Sequence, residues 1–258
     1  MADNPIFYSP KGEDRNSVLR QASTSLSSFK LSEGELNCEL ARLDGIPVSN
    51  DDLSLKEWYD NWLVTPDDKK VSRLIFFDTE THKLHGYLVS IGIVEYDLKE
   101  KKVVNTFYSL VNPLCPIDKE AQGVHGISDE MVQNSPAFKD IYHELKEMFQ
   151  RNEMIVAFNS SYDINALIRE CDRLEVLPFV VMPFLDLMQR LKVEVNAKAS
   201  NNRLKFPRLD EAANYFGIQS DETSLHNSLY DTQITLKVFE EALKRYSNNL
   251  GNFSQDNE

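Results

Sequence analysis

The chain has 258 residues, 41% of them apolar, and a formal net charge of −13. That length suits one domain of ordinary to large size plus an appendage, or two small domains, and no stretch of 18 apolar residues marks a membrane span. The acidity argues against a simple nucleic-acid binder with a basic face, but not against an enzyme whose site is a carboxylate cluster loaded with divalent cations. Met1 to Pro10 lacks the basic-then-apolar pattern of a secretory leader, and Cys38, Cys115 and Cys171 form no paired motif. Free thiols and a cytoplasmic location are therefore expected.

Residues 1 to about 30 are polar, and Ser23-Thr24-Ser25-Leu26-Ser27-Ser28 has the texture of a linker or frayed arm. Ser32 precedes Leu36, Leu40 and Leu43, which fit a short capped helix, and Leu53 to Leu63 fits a second helix carrying Trp58, Tyr59 and Trp62. A helical hairpin docked on the main domain is expected here, with a protein partner bound through residues 1–70 as the alternative. The domain division expected is 1–70 for this appendage, 71–247 for the main domain and 248–258 for a disordered tail.

Leu74-Ile75-Phe76-Phe77 reads as a buried central strand. Tyr87 to Tyr96 and Val103 to Val111, joined by the charged turn Asp97 to Lys102, read as a hairpin. Helical spacing runs from Pro136 to Phe149, Met154 to Phe158 is another buried strand, and Asp163 to Leu174 is a helix. Helices are further expected at Leu185–Leu191, Leu209–Phe216 (stopped by Gly217) and Ser228–Tyr246. Strands and helices in this order predict an α/β domain with a mixed sheet flanked by helices.

Three segments carry chemistry. Phe77-Asp78-Thr79-Glu80 ends a buried strand with two carboxylates on one side, because strand side chains alternate. Their repulsion is relieved by a cation between them. Ala157-Phe158-Asn159-Ser160-Ser161-Tyr162-Asp163 leads from a second strand to an acid at a helix start, a position that helix capping alone would also explain. His226 and Asp231, at the entry to the last helix, are spaced so that the imidazole leans over whatever Asp231 coordinates. Each segment alone has a structural explanation; their order and placement together are far more specific.

Together they resemble the DEDDh (DnaQ-like) exonuclease family, which includes the proofreading epsilon subunit of bacterial DNA polymerase III. Val111-Asn112-Pro113, Gly123 to Glu130, Asp186-Leu187 and Leu209-Asp210 extend the likeness over roughly residues 72–246. The resemblance implies a ribonuclease H-like fold with a five-stranded sheet. It also implies two Mg²⁺ ions, replaceable by Mn²⁺, held by Asp78, Glu80, Asp163 and Asp231, with His226 as general base. It further implies release of nucleoside 5′-monophosphates from a 3′ end. Thr79, Leu84, Tyr162 and Asn159 are expected to contact the substrate, with Leu84 or Tyr87 wedged against the end base. Lys198 to Arg208, four basic residues with Phe206 among them, is a candidate strand-tracking groove. Phe158, Ser90 and the loop Thr81 to Gly86 depart from the family pattern; His82 and His85 are expected to be exposed. The expected substrate is a single-stranded or frayed DNA 3′ end. An exoribonuclease like oligoribonuclease or ribonuclease T is the alternative, since the same carboxylates serve either sugar. A catalytically silent binding module is the remaining one.

Overall fold

The computed structural model describes residues 53–180, 183–220 and 226–252. The expected helix at Ser32–Leu43, the serine-rich arm and residues 253–258 lie outside these. In chain order the elements are α1 (Leu55–Val64), β1 (Arg73–Thr81), β2 (Leu88–Asp97), β3 (Lys102–Leu110), α2 (Lys119–His125), α3 (Asp129–Val132), α4 (Phe138–Gln150), β4 (Met154–Ala157) and α5 (Ser160–Arg173). They continue with β5 (Phe184–Asp186), α6 (Leu187–Arg190), α7 (Lys192–Val195), α8 (Leu209–Tyr215) and α9 (Ser228–Asn252). The strands form one five-stranded sheet in the order β3-β2-β1-β4-β5. The pairs β1–β2 and β2–β3 are antiparallel, while β1–β4 and β4–β5 are parallel.

The apolar run of β1 is buried on both faces, as a central strand must be. Leu74 and Phe76 point into one core with α1, α8 and α9, where Phe76 meets Phe239 edge-on at 5.4 Å. Ile75 and Phe77 point into a second core with α4 and α5, where Phe77 meets Phe149 at 5.2 Å. Alternation along one strand thus divides the interior into two layers.

Helix α1 is integral to the first layer. Ser54 and Glu57 form a capping box at its start. Trp58 and Tyr59 are buried, Trp58 lies 6.0 Å from Phe239, and the Trp62 indole donates to the Val71 carbonyl at 2.7 Å. Apolar contacts therefore cross the expected boundary at residue 70, and both tryptophans are spent on the chain's own packing. At the other end, α9 continues through Asn252, past Tyr246 and past the expected start of a tail at 248.

Two elements differ from expectation. Leu185–Leu191 is not one helix: Phe184–Asp186 is the fifth strand, paired with β4, and α6 begins only at Leu187. The α5 helix begins at Ser160, three residues before Asp163, because a remote carboxylate caps it. Asp186 accepts from the N–H groups of Asn159 (3.2 Å) and Ser160 (3.0 Å) and from the Ser160 hydroxyl (3.0 Å). Asn159 itself adopts a left-handed conformation, φ +67°.

Candidate active site

Strand β1 pairs with β4 only as far as Phe76, although it runs on to Thr81. Beyond Phe76 its edge on that side is free of a strand partner. The first turn of α5 fills the gap: the Asp163 carboxylate, buried, accepts from the Thr79 N–H at 2.9 Å and the Thr79 hydroxyl at 2.6 Å. Thr79 is buried and orients Asp163 rather than facing a substrate. The helix dipole favours a carboxylate at this position.

From the opposite face comes α9. Gly92 of β2 makes the approach possible, since a methyl group there would lie 2.3 Å from the Leu229 nitrogen. Gly92 is paired with Asp78, so the start of α9 lies over the Asp78 row of the sheet. The contact is pinned by Thr232, whose hydroxyl donates to the Gly92 carbonyl at 3.1 Å, and by Ser228, whose hydroxyl lies 3.0 Å from that of Ser90. Ser90, singled out in the sequence as a departure from the family pattern, is a buried strut between β2 and α9.

The groups singled out by sequence converge. Ligand atoms of Glu80, His226 and Asp231 lie within 4.8 Å of one another. Asp78 feels the charges of Asp163, Glu80 and Asp231. Burial, and then the neighbouring carboxylates, hold Asp78 and Glu80 far above the usual carboxylate range. Burial also raises Asp163, opposed by its bonds to Thr79, and pushes Asp231 up to about 6. Four crowded carboxylates of this kind demand a counter-charge. One Asp231 oxygen accepts from the His226 N–H at 3.0 Å, whereas the other is buried and has no hydrogen-bond partner. An orphaned anionic oxygen in an all-carboxylate nest fits a hard divalent cation such as Mg²⁺. His226 is exposed, with φ +68°, and its ring stands beside the cluster.

A cleft of about 400 Å³ opens next to Glu80, lined by Lys83, Leu84, Val124, His125 and Tyr162 among others. Leu84 is 73% exposed within it. Tyr162 is half-buried and its hydroxyl lies 2.5 Å from that of Thr81. Asn159 is exposed at the start of α5, outside this lining. Tyr87 is no wedge: its ring is stacked on His82 at 5.5 Å and covered by the Arg173 guanidinium at 4.2 Å. His82 is buried rather than exposed, with Nδ1 accepting from the Tyr87 N–H at 2.8 Å. His85 is exposed, as expected. In the Lys198–Arg208 stretch, Lys205 is paired with Glu211 at 2.6 Å and Arg208 with Asp210, so half of its charge is already matched.

Sequence reasoning assigned no role to three residues that build this site: Asp186, Gly92 and His125. His125 lines the cleft with a fixed tautomer, since Nδ1 accepts from the Ile127 N–H at 3.0 Å and Nε2 then donates to the Thr81 carbonyl at 3.2 Å. Cys115 and Cys171 are free thiols, and among the described residues no helix is long and apolar enough to cross a membrane.

A central mixed sheet whose strand ends and helix starts gather four carboxylates and a histidine defines a nuclease of the DnaQ-like class. The exonuclease family named for ribonuclease T matches residues 75–239, and the chain belongs to it. Among curated relatives, DNA polymerase III subunit epsilon of Pasteurella multocida is 25% identical over 178 residues, covering 65% of this chain and 67% of that one. The same subunit from Salmonella typhimurium is 28% identical over 181 residues, covering 66% and 70%. Escherichia coli exonuclease I, solved in complex with a dA16 oligonucleotide, shares the fold with a TM-score of 0.59 at 15% identity. That likeness covers 70% of this chain but 42% of exonuclease I.

Proposed function

We propose that the chain is a 3′→5′ exonuclease that trims single-stranded or frayed DNA ends and releases nucleoside 5′-monophosphates. The observation that carries this reading is the convergence of Asp78, Glu80, Asp163 and Asp231 around a buried, unpartnered carboxylate oxygen. These four residues would hold two divalent ions, Mg²⁺ or Mn²⁺. When bound, such a pair lowers the pKa of an attacking water and stabilises the leaving 3′ oxygen. Thr79 keeps Asp163 oriented, and Asp231 holds the His226 backbone. An imidazole nitrogen of His226 takes the proton from the water. Leu84, Val124 and Tyr162 offer the terminal nucleotide an apolar and aromatic wall. The naming of the curated relatives as subunits of a DNA polymerase supports DNA over RNA. A cytoplasmic location is proposed on the same reading. A protein partner would use residues 1–70 outside α1, whose apolar face is already covered.

The test uses matched DNA and RNA oligonucleotides with a 3′ or 5′ block, in Mg²⁺, with the full chain and its Asp78→Ala and His226→Ala variants. The expected result is loss of single nucleotides from unblocked DNA 3′ ends, abolished in both variants without unfolding. Undiminished hydrolysis by Asp78→Ala would sink the metal assignment. Faster attack on RNA, or on 3′-blocked strands, would overturn the substrate or the polarity.

A further inference from the structure

The loop Thr81 to Gly86, singled out in the sequence as a departure from the family pattern, is built around a turn. The Lys83 carbonyl accepts from the Gly86 N–H at 2.8 Å, with Leu84 and His85 at the two corners. His85 takes the second corner with a left-handed backbone, φ +58°, a conformation uncommon outside glycine that persists only when its surroundings impose it. Lys83 and Leu84 line the cleft that opens next to Glu80, and Leu84 is 73% exposed within it.

His82 imposes the turn. It is buried, and it bonds Tyr87 on the far side of the turn twice. Its N–H donates to the Tyr87 carbonyl at 2.9 Å, and its ring Nδ1 accepts from the Tyr87 N–H at 2.8 Å. A ring nitrogen that accepts carries no proton. The ring also stacks on that of Tyr87, with centroids 5.5 Å apart. Gly86 leaves room for it: a methyl group there would lie 2.6 Å from Nδ1. Neighbouring elements hold the assembly in place. The Asp118 N–H donates to the His82 carbonyl at 2.8 Å, and Arg169 Nε donates to the Gly86 carbonyl at 3.2 Å. Arg169 and Arg173, which covers the Tyr87 ring, both belong to α5, the helix that carries Asp163. Glu80 does not depend on the turn, because the β1–β2 ladder pairs it with Ser90.

We propose that His82 is a positioning residue for the reaction, holding the Lys83–Gly86 turn so that Leu84 stands against the terminal nucleotide. It acts on binding of the strand end and leaves the chemical step alone, since the turn carries none of the four carboxylates. This rests on the reading of the cleft as the seat of the 3′-terminal nucleotide.

The experiment is steady-state hydrolysis of a short single-stranded DNA in Mg²⁺ by the full chain, His82→Ala, Leu84→Ala, their double variant and His82→Asn. Thermal melting of each is recorded alongside. His82→Ala should raise KM about tenfold with kcat close to the parent's, the affinity equivalent of one leucine side chain withdrawn from the nucleotide. Leu84→Ala should do the same. The double variant should be no worse than either, because His82 acts through Leu84. His82→Asn, whose Oδ1 can replace Nδ1 as the acceptor, should recover the parent's KM. Gly86→Ala reaches the same contact from the turn side and should reproduce the rise in KM; it serves where His82→Ala does not fold. A lowered melting temperature at parent-like KM, multiplied losses in the double variant, a fall in kcat at unchanged KM, or no recovery in His82→Asn would each overturn the proposal. Absence of hydrolysis by the full chain would instead defeat the functional reading, and is distinguishable from all of these, which require an active parent.

Discussion

Replacing Gly92 by alanine should separate catalysis from stability. The added methyl would lie 2.3 Å from the Leu229 nitrogen and 2.4 Å from its Cα, where ordinary contact begins at 3.4 Å. Both atoms are backbone, so no side chain can swing aside, and the first turn of α9 must retreat by about 1.1 Å, the difference of those distances. Overpacking of a well-filled interior costs about 1–3 kcal/mol, which a domain of this size survives. The retreat, however, carries His226 and Asp231 away from Asp78 and Glu80. A misplacement of about 1 Å in a reacting group costs roughly 100-fold in rate. Gly92→Ala should therefore stay folded, with a melting temperature lowered by a few degrees, and lose at least two orders of magnitude in kcat on single-stranded DNA. Calorimetry and initial-rate assays on the same preparation decide it. A variant with parent-like kcat would show that α9 does not set the catalytic geometry, and a variant that fails to fold would show that the clash is propagated into the core.

Three further outcomes follow from the packing and charges. Divalent ions at 100 times their dissociation constant should add about 2.7 kcal/mol per site, raising the melting temperature by roughly 10–20 °C for two sites. Asp78→Asn should be more stable than the parent in EDTA, where it relieves carboxylate crowding, and should respond less to Mg²⁺; an undiminished shift would refute the site. Glu170, fully buried, accepts from the Leu88 N–H at 2.8 Å and pairs with Arg173 at 2.5 Å, yet burial pushes it from 4.5 up to about 7. An acid raised in the folded state contributes most below its unfolded value, and that contribution is lost as pH rises through 4.5 to 7. Urea titrations should then find Glu170→Gln missing about 3 kcal/mol of the decline in stability across that window, and identical profiles would refute the assignment. Trp58→Ala should cost about 3–5 kcal/mol while leaving kcat of the folded enzyme unchanged; a smaller cost would mean that α1 is an accessory to the core.

What the sequence revealed tracks what local pattern can encode. The apolar run before Asp78, the alternating hairpin and the periodic faces of α4 and α9 are properties of neighbouring residues, and the fold places them within a few positions of expectation. Strand β5 is three residues long. Its strand character comes from its pairing with β4, so its apolar residues merged with the helix that follows. Helix α2 buries none of its residues, which leaves no periodic stripe to read. His82 sits in a segment that looks like a polar loop, yet it is the partner of the Tyr87 backbone, five residues on. At the site, the acids and the histidine were visible as residue types at element ends. Their supports were not: Gly92 and Asp186 matter because of which distant segment lies against them, and no local pattern carries that.

Asp163 and Asp231 reach the cluster from different layers, α5 packing in the core of Phe77 and α9 in the core of Phe76. The carboxylates proposed to be catalytic thus form a seam between two separately packed halves, joined through one strand. Partial opening of either half dismantles the seam while most of the molecule stays folded. Activity should therefore vanish before global unfolding on heating, and amide exchange in the first turns of α5 and α9 should slow together when divalent ions are added, as a cation stitching the halves would require.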